Sequence, residues 1–158
     1  KGTREVLGFA IERVENEIFW DQFLASLLAR GLGGGQLAIS DAHAGLRKAI
    51  AARLPSSKWQ RCRVHFCRNV AQLVGKRQRP AVLALVKTIF AQGSFDEALR
   101  QREEVVSALR KLGRDRVADF VAEADDVLTY MQFPAEHWTK LHSTNFIEQF
   151  LERRGMEA

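Results

Sequence analysis

Cysteine is scarce in this chain: two residues in 158, too few for a disulfide framework, so a reducing compartment is expected. Long apolar runs are missing as well. The longest is the six-residue AVLALV, far short of the ~18 residues that a membrane-crossing helix needs. The start lacks the basic-then-apolar pattern of a secretory signal, which makes a cytoplasmic location the expectation. No GxxxxGK[ST] sequence, internal repeat or low-complexity tract occurs. The glycine-rich GLGGG at 31–35 follows a helical stretch and precedes a strand, the reverse of the order that aims helix amides at a phosphate.

The most informative absence is of acid between residues 46 and 80. That stretch holds ten Lys and Arg and no Asp or Glu, whereas residues 1–45 carry four basic against six acidic residues and 81–158 carry ten against thirteen. The net charge of +5 therefore conceals a +10 middle between two mildly acidic flanks. Such a segment is either a solvated basic face or a surface for a polyanion. With 46% hydrophobic and 27% charged residues, the composition is that of a packed globular domain, and the length fits one domain.

Periodicity divides the chain by element type. TREVLGFAI has the look of a strand, and Asn16 can cap a helix whose apolar face is Phe19, Phe23, Leu24, Leu27 and Leu28, with Gly31 as its stop. QLAIS reads as a short strand ending at Asp41, followed by a helix with Leu46, Ala49, Ile50 and Leu54 that stops before Pro55. WQRCRVHF reads as a third strand, with Cys62, Val64 and Phe66 on one face and Arg61, Arg63 and His65 on the other. Strand-helix alternation of this kind favours parallel pairing. After Pro80 the pattern is helical throughout. Val82, Leu85, Ile89 and Phe90 form one stripe, Ser94 and Glu97 suggest a capping box for the next helix, and a third stripe runs from Val117 through Leu128 to Met131.

Three groups of residues could carry chemistry. Asp41, at the carboxyl end of a strand, is either a ligand-site carboxylate or the N-cap of the following helix. Glu148, in STNFIEQF, can equally be a glutamate placed in a first helical turn by the helix dipole. Cys62, His65 and Cys67 invite a zinc reading, but no second ligand pair appears among His43, His137 and His142, and Cys62 is expected to be a buried small hydrophobe.

The blocks ISDAHAGLRKAI, WQRCRVHFCRNV and FPAEHWTKLHSTNFIEQF, in that order and spacing, resemble the Mutator-type bacterial insertion-sequence transposases. The likeness runs from GTREVLGF to the segment around Glu148. It implies an α/β fold made of a truncated ribonuclease-H-like core over 1–79 and an all-α helical insertion over 80–135. Residues 136–158 would then form a helix carrying the third catalytic acid. By the same resemblance Asp41 and Glu148 are catalytic acids and metal ligands that converge on one site, and His65, with Cys62, belongs to a supporting CxxH signature.

The implied reaction is DNA cleavage and strand transfer assisted by Mg²⁺ or Mn²⁺, for which hard oxygen ligands are suited. The implied partners are transposon ends, target DNA and further copies of the full-length protein, with no membrane and with nucleoid association when bound. Lys58, Arg61, Arg63, Arg68, Lys76, Arg77 and Arg79 would neutralise phosphates. The family's first aspartate lies on a strand upstream of GTREVLGF, so this chain is expected to hold two of three acids and not to cleave DNA alone. Phe146, Ile147, Gln149 and Leu151 depart from the family's usual residues. The contrasting readings are an inactive remnant that binds DNA or a transposase subunit, and a zinc-stabilised binding module.

Overall fold

The computed structural model describes residues 4–144. The chain divides into two compact units, residues 1–59 and 60–158.

In the first unit, helix α1 (Glu17–Ala29) begins at Asn16, whose Oδ1 accepts a hydrogen bond from the Phe19 amide at 2.9 Å. It ends where Gly31 adopts φ +97°, a conformation open to glycine and costly for other residues. Strand β1 (Leu37–Ser40) and helix α2 (Ala44–Arg53) follow. The two helices bury Leu24 and Leu27 against Ala49 and Ile50, with Trp20, Phe23 and Leu46 around them. Gly45 permits this approach, since a Cβ there would lie 2.6 Å from the Glu17 nitrogen. Arg53 clasps Asp21 with two hydrogen bonds of 2.6 Å, and this contact holds the Asp21 carboxyl below its ordinary pKa.

Strand β2 (Lys58–Arg61) crosses the division and lies parallel to β1. The Lys58 amide donates to the Gln36 carbonyl at 2.9 Å, and the Trp59 indole donates to Ser40 Oγ at 2.9 Å.

The second unit is helical: α3 (Arg63–Gln72), α4 (Arg79–Phe90), α5 (Phe95–Lys111), α6 (Asp115–Ala122) and, after three short 3-10 turns, α7 (Trp138–Leu141). Its core joins Phe66 and Val70 of α3 to Val86 of α4, Leu109 of α5, Val117 of α6, and Leu128 and Tyr130 of the turns. Ser94 caps α5, accepting from the Glu97 amide at 3.2 Å, as its sequence position predicts. The described residues thus form a mixed, mostly helical α/β structure of seven helices and two parallel strands. No helix among them is long and apolar enough to cross a membrane.

Three expectations are corrected. Residues 4–12 form no strand among the described residues: no ladder satisfies their backbone, and Phe9 and Ile11 are 82% and 92% exposed. WQRCRVHF is a strand only as far as Arg61, and Arg63 already begins a helix. Alternation at 62, 64 and 66 competes with helical spacing at 62, 66 and 70, and the longer stripe wins because Phe66, Val70 and Val74 all enter one core. This is why the units divide inside the segment 1–79, with α3 belonging to the helical side. The stripe from Val117 to Met131 is not one helix, since α6 stops at Ala122. The fully buried Gln60 side chain accepts from the Tyr130 amide at 2.7 Å and donates to the Val127 carbonyl at 2.8 Å, taking both groups out of any helical ladder.

Candidate functional site

Asp41 stands directly after β1, and its side chain is exposed. Its carboxylate takes part in no hydrogen bond or ion pair among the described residues, while the Ser40 hydroxyl donates to its carbonyl at 2.8 Å. The cap of α2 is His43, whose Nδ1 accepts from the Leu46 amide at 3.3 Å. The N-cap reading of Asp41 is therefore corrected, and its oxygens are left facing solvent at the carboxyl end of a parallel strand, where α/β sheets place ligand sites. Glu148, the other predicted acid, lies outside the described residues, as does any convergence of the two.

In the second unit the turn from β2 into α3 grips the stretch just before that segment. Cys62 is fully buried, as the sequence predicts, but as the N-cap residue of α3 rather than on a strand face. Its Sγ accepts hydrogen bonds of 3.3 Å from both the amide and the hydroxyl of Thr144. The Arg63 amide donates to the His142 carbonyl at 2.8 Å, and the Arg63 guanidinium donates to His142 Nε2 at 3.1 Å. Tyr130 meets the His142 ring edge-on with centroids 6.0 Å apart. Burial acts to raise the Cys62 pKa but is outweighed by the Thr144 hydroxyl, the His65 and Thr144 amides and the His65 side chain, so the thiol is held below its ordinary value. His65, in the first turn of α3 and half-buried, thus acts on Cys62; the strand-face separation of the two is replaced by helical proximity.

Burial and then the positive charge of Arg63 hold the His142 pKa below 6.5. The folded chain therefore favours neutral His142, and the unfolded chain binds more protons as pH falls through 6.5. This contribution to stability is complete above that pH and lost below it. The urea midpoint is expected to fall between about pH 7.5 and about pH 5.5, and His142→Gln should remove most of that fall. An equal fall in both proteins would place the effect on other groups.

The basic residues separate by environment. Arg61 is neutralised by Asp126, with N–O distances of 2.8 and 2.9 Å and side chains only 12% and 18% exposed. It also lies over the Phe120 ring at 5.7 Å. Arg79 donates to the Val74 carbonyl at 3.2 Å, whereas Lys76 and Arg77 are exposed. Lys58 and Arg68 are exposed too. Sequence reading missed Asp126 and Thr144, because partners 65 and 82 positions away leave no local signal. No group of three or more His, Cys, Asp or Glu that could hold a metal ion occurs among the described residues. Among them Asp41 offers one open, hard oxygen donor at a strand end.

The described residues define a class of mixed α/β protein: its first unit has an unencumbered carboxylate after a parallel strand, and its second has a stretch, residues 142–144, anchored on a buried thiol. The family model of the Mutator-family transposases matches residues 1–154. The chain is 39% identical over 162 residues to the transposase for insertion sequence element IS406 of Burkholderia multivorans, covering 99% of this chain and 42% of that protein. It is 38% identical over 147 residues to the transposase for insertion sequence element IS1081 of Mycobacterium tuberculosis, covering 92% of this chain and 35% of the relative. The transposase for insertion sequence element IS256 in transposon Tn4001 of Staphylococcus aureus is 34% identical over 152 residues, covering 94% and 38%. The chain belongs to the Mutator family of transposases. It spans 35% to 42% of the length of these relatives.

Proposed function

We propose that this chain is part of the catalytic region of an insertion-sequence transposase that cleaves DNA at the element's ends and joins it to a target. The core is of ribonuclease-H type, the full-length protein acts as a homo-oligomer, and Asp41 and Glu148 supply two of its three acids. The observation that carries this reading is Asp41: an exposed carboxylate, engaged by no described neighbour, at the carboxyl end of a parallel strand in a chain of this family. Asp41 and Glu148 would hold Mg²⁺ or Mn²⁺, which when bound stabilises negative charge on the oxygens that enter and leave phosphorus. The chain's own residues hold the geometry. Cys62 and Arg63 fasten residues 142–144, which fixes the origin of the stretch leading to Glu148. Support also comes from the names of the relatives, each a transposase for an insertion sequence. The test is incubation of the full-length protein with DNA bearing the element's ends, with Mg²⁺ or Mn²⁺ supplied. End-specific strand breaks are expected, and their absence under both metals with an intact, DNA-bound protein would overturn the catalytic assignment.

Phosphate neutralisation falls to the exposed cations. Replacing Lys76 and Arg77 by Ala is expected to flatten the slope of log K against log salt for duplex DNA by up to roughly 0.9 for each phosphate no longer neutralised. Replacing Arg61 and Asp126 together, as Arg61→Met with Asp126→Leu, should leave that slope unchanged, since Arg61 already serves Asp126. A slope that responds to Arg61 and ignores the other two would reverse this division of roles.

A further inference from the structure

A cleft of about 580 Å³ opens between α3 and α4, wholly within the second unit. Arg63, Arg68 and Lys87 stand around it, and Leu83, Cys67 and Phe90 form apolar wall, with no acid among the lining residues. Lys87 comes from α4, beyond the basic run at 46–80, so charge counting along the chain does not reveal it. The Arg63 guanidinium lies over the Phe90 ring, 5.3 Å from its centre, which covers that face of the ring and leaves Leu83 as the open apolar surface beside it. Burial pushes the Cys67 thiol up, and Arg63 and Lys87 act against it, so both cations bear on the same wall. Lys87 itself is exposed and forms no ion pair among the described residues.

Three cations beside an apolar floor select a ligand that is anionic along one edge and flat and apolar along the other. Duplex DNA offers phosphates but keeps its base faces stacked inside, so it would leave Leu83 without a partner. A strand with unpaired bases offers both. We infer that the α3–α4 cleft, through Lys87, Arg68, Leu83 and Phe90, binds unpaired nucleotides of single-stranded DNA. This rests on the proposed action on DNA and adds to it the strandedness of the DNA held at this site. The phosphates lie against Lys87 and Arg68, and one base lies on Leu83 beside Phe90.

The test uses the full chain with a short fluorescent poly-dT strand and a hairpin duplex of equal charge. The unpaired strand is expected to bind about tenfold more tightly, the contribution of roughly one base packed on an apolar or aromatic face. Lys87→Gln should lower the single-strand salt slope by about 0.7, and Leu83→Asp should abolish the preference while changing duplex affinity less than about twofold. Because Leu83 also packs against the core, occupancy is read independently on the unsubstituted chain. Alkylation of Cys67, followed by peptide mass, should be slowed by poly-dT and not by the duplex; fully buried Cys62 serves as the unreactive reference. Duplex binding with neither strand preference nor Cys67 protection would overturn this inference alone. Failure to bind either DNA would overturn it together with the proposed action on DNA.

Discussion

Asp41→Asn is expected to reduce end cleavage by a full-length transposase carrying this segment by more than about 100-fold. Residues that merely orient a metal ligand cost roughly 10- to 100-fold when replaced, and a ligand itself costs more. Asparagine keeps the shape of the side chain and removes the charge that would hold a divalent cation. DNA affinity and folding should be unaffected, because the carboxylate is exposed and takes part in no hydrogen bond or ion pair among the described residues, and surface substitutions of this kind shift stability by less than about 0.5 kcal/mol. Cleavage is measured on end-labelled DNA, beside binding and thermal unfolding of the same preparations. Full-rate cleavage by the variant would remove Asp41 from the site whatever the fold.

Asp126→Ala should destabilise the second unit by about 3–5 kcal/mol, the range seen when one partner of a largely buried ion pair is removed. Its carboxylate receives two nitrogens of Arg61 within 2.9 Å, and that side chain is only 12% exposed, so the substitution strands a charge with little access to water. Denaturant unfolding of the chain measures the effect. Replacing both residues together, as Arg61→Met with Asp126→Leu, is expected to recover most of it, because a buried pair and a well-packed apolar pair of similar volume differ little. A cost below about 1 kcal/mol for the single substitution would mean that the pair behaves as an exposed one.

The anchoring of residues 142–144 bears on both results. Cys62 and Arg63 hold this stretch through four hydrogen bonds, two to Thr144 and two to His142, all from the turn that joins β2 to α3. The same turn continues from Arg61 on one side and enters the core through Phe66 on the other. A change in the Arg61–Asp126 pair is therefore expected to loosen the support of residues 142–144. For that reason, loss of cleavage in Asp126→Ala reports on positioning, whereas loss in Asp41→Asn, with the fold intact, reports on the chemistry proposed for the site.

What the sequence determined by itself is whatever depends on neighbours within a turn or two. The Asn16 and Ser94 caps, the stop at Gly31, the short strand before Asp41 and the stripes of α1, α2 and α4 were all legible, because capping and helical spacing act over three or four residues. Three blocks in order were enough for family membership. Tertiary structure decided what depends on partners far along the chain. Cys62 and Phe66 fall on one face of a strand and of a helix alike, and only burial of Phe66, Val70 and Val74 in one core selects the helix. Residues 4–12 look like a strand, yet a strand exists only through its ladder. The backbone of Val127 and Tyr130 follows Gln60 rather than a helical ladder, and Arg61 is basic by composition but neutralised by Asp126. In the last two cases a hydrogen bond or ion pair spanning 65 to 70 positions overrides the local pattern, since burying an unpaired polar group costs more than any local propensity supplies.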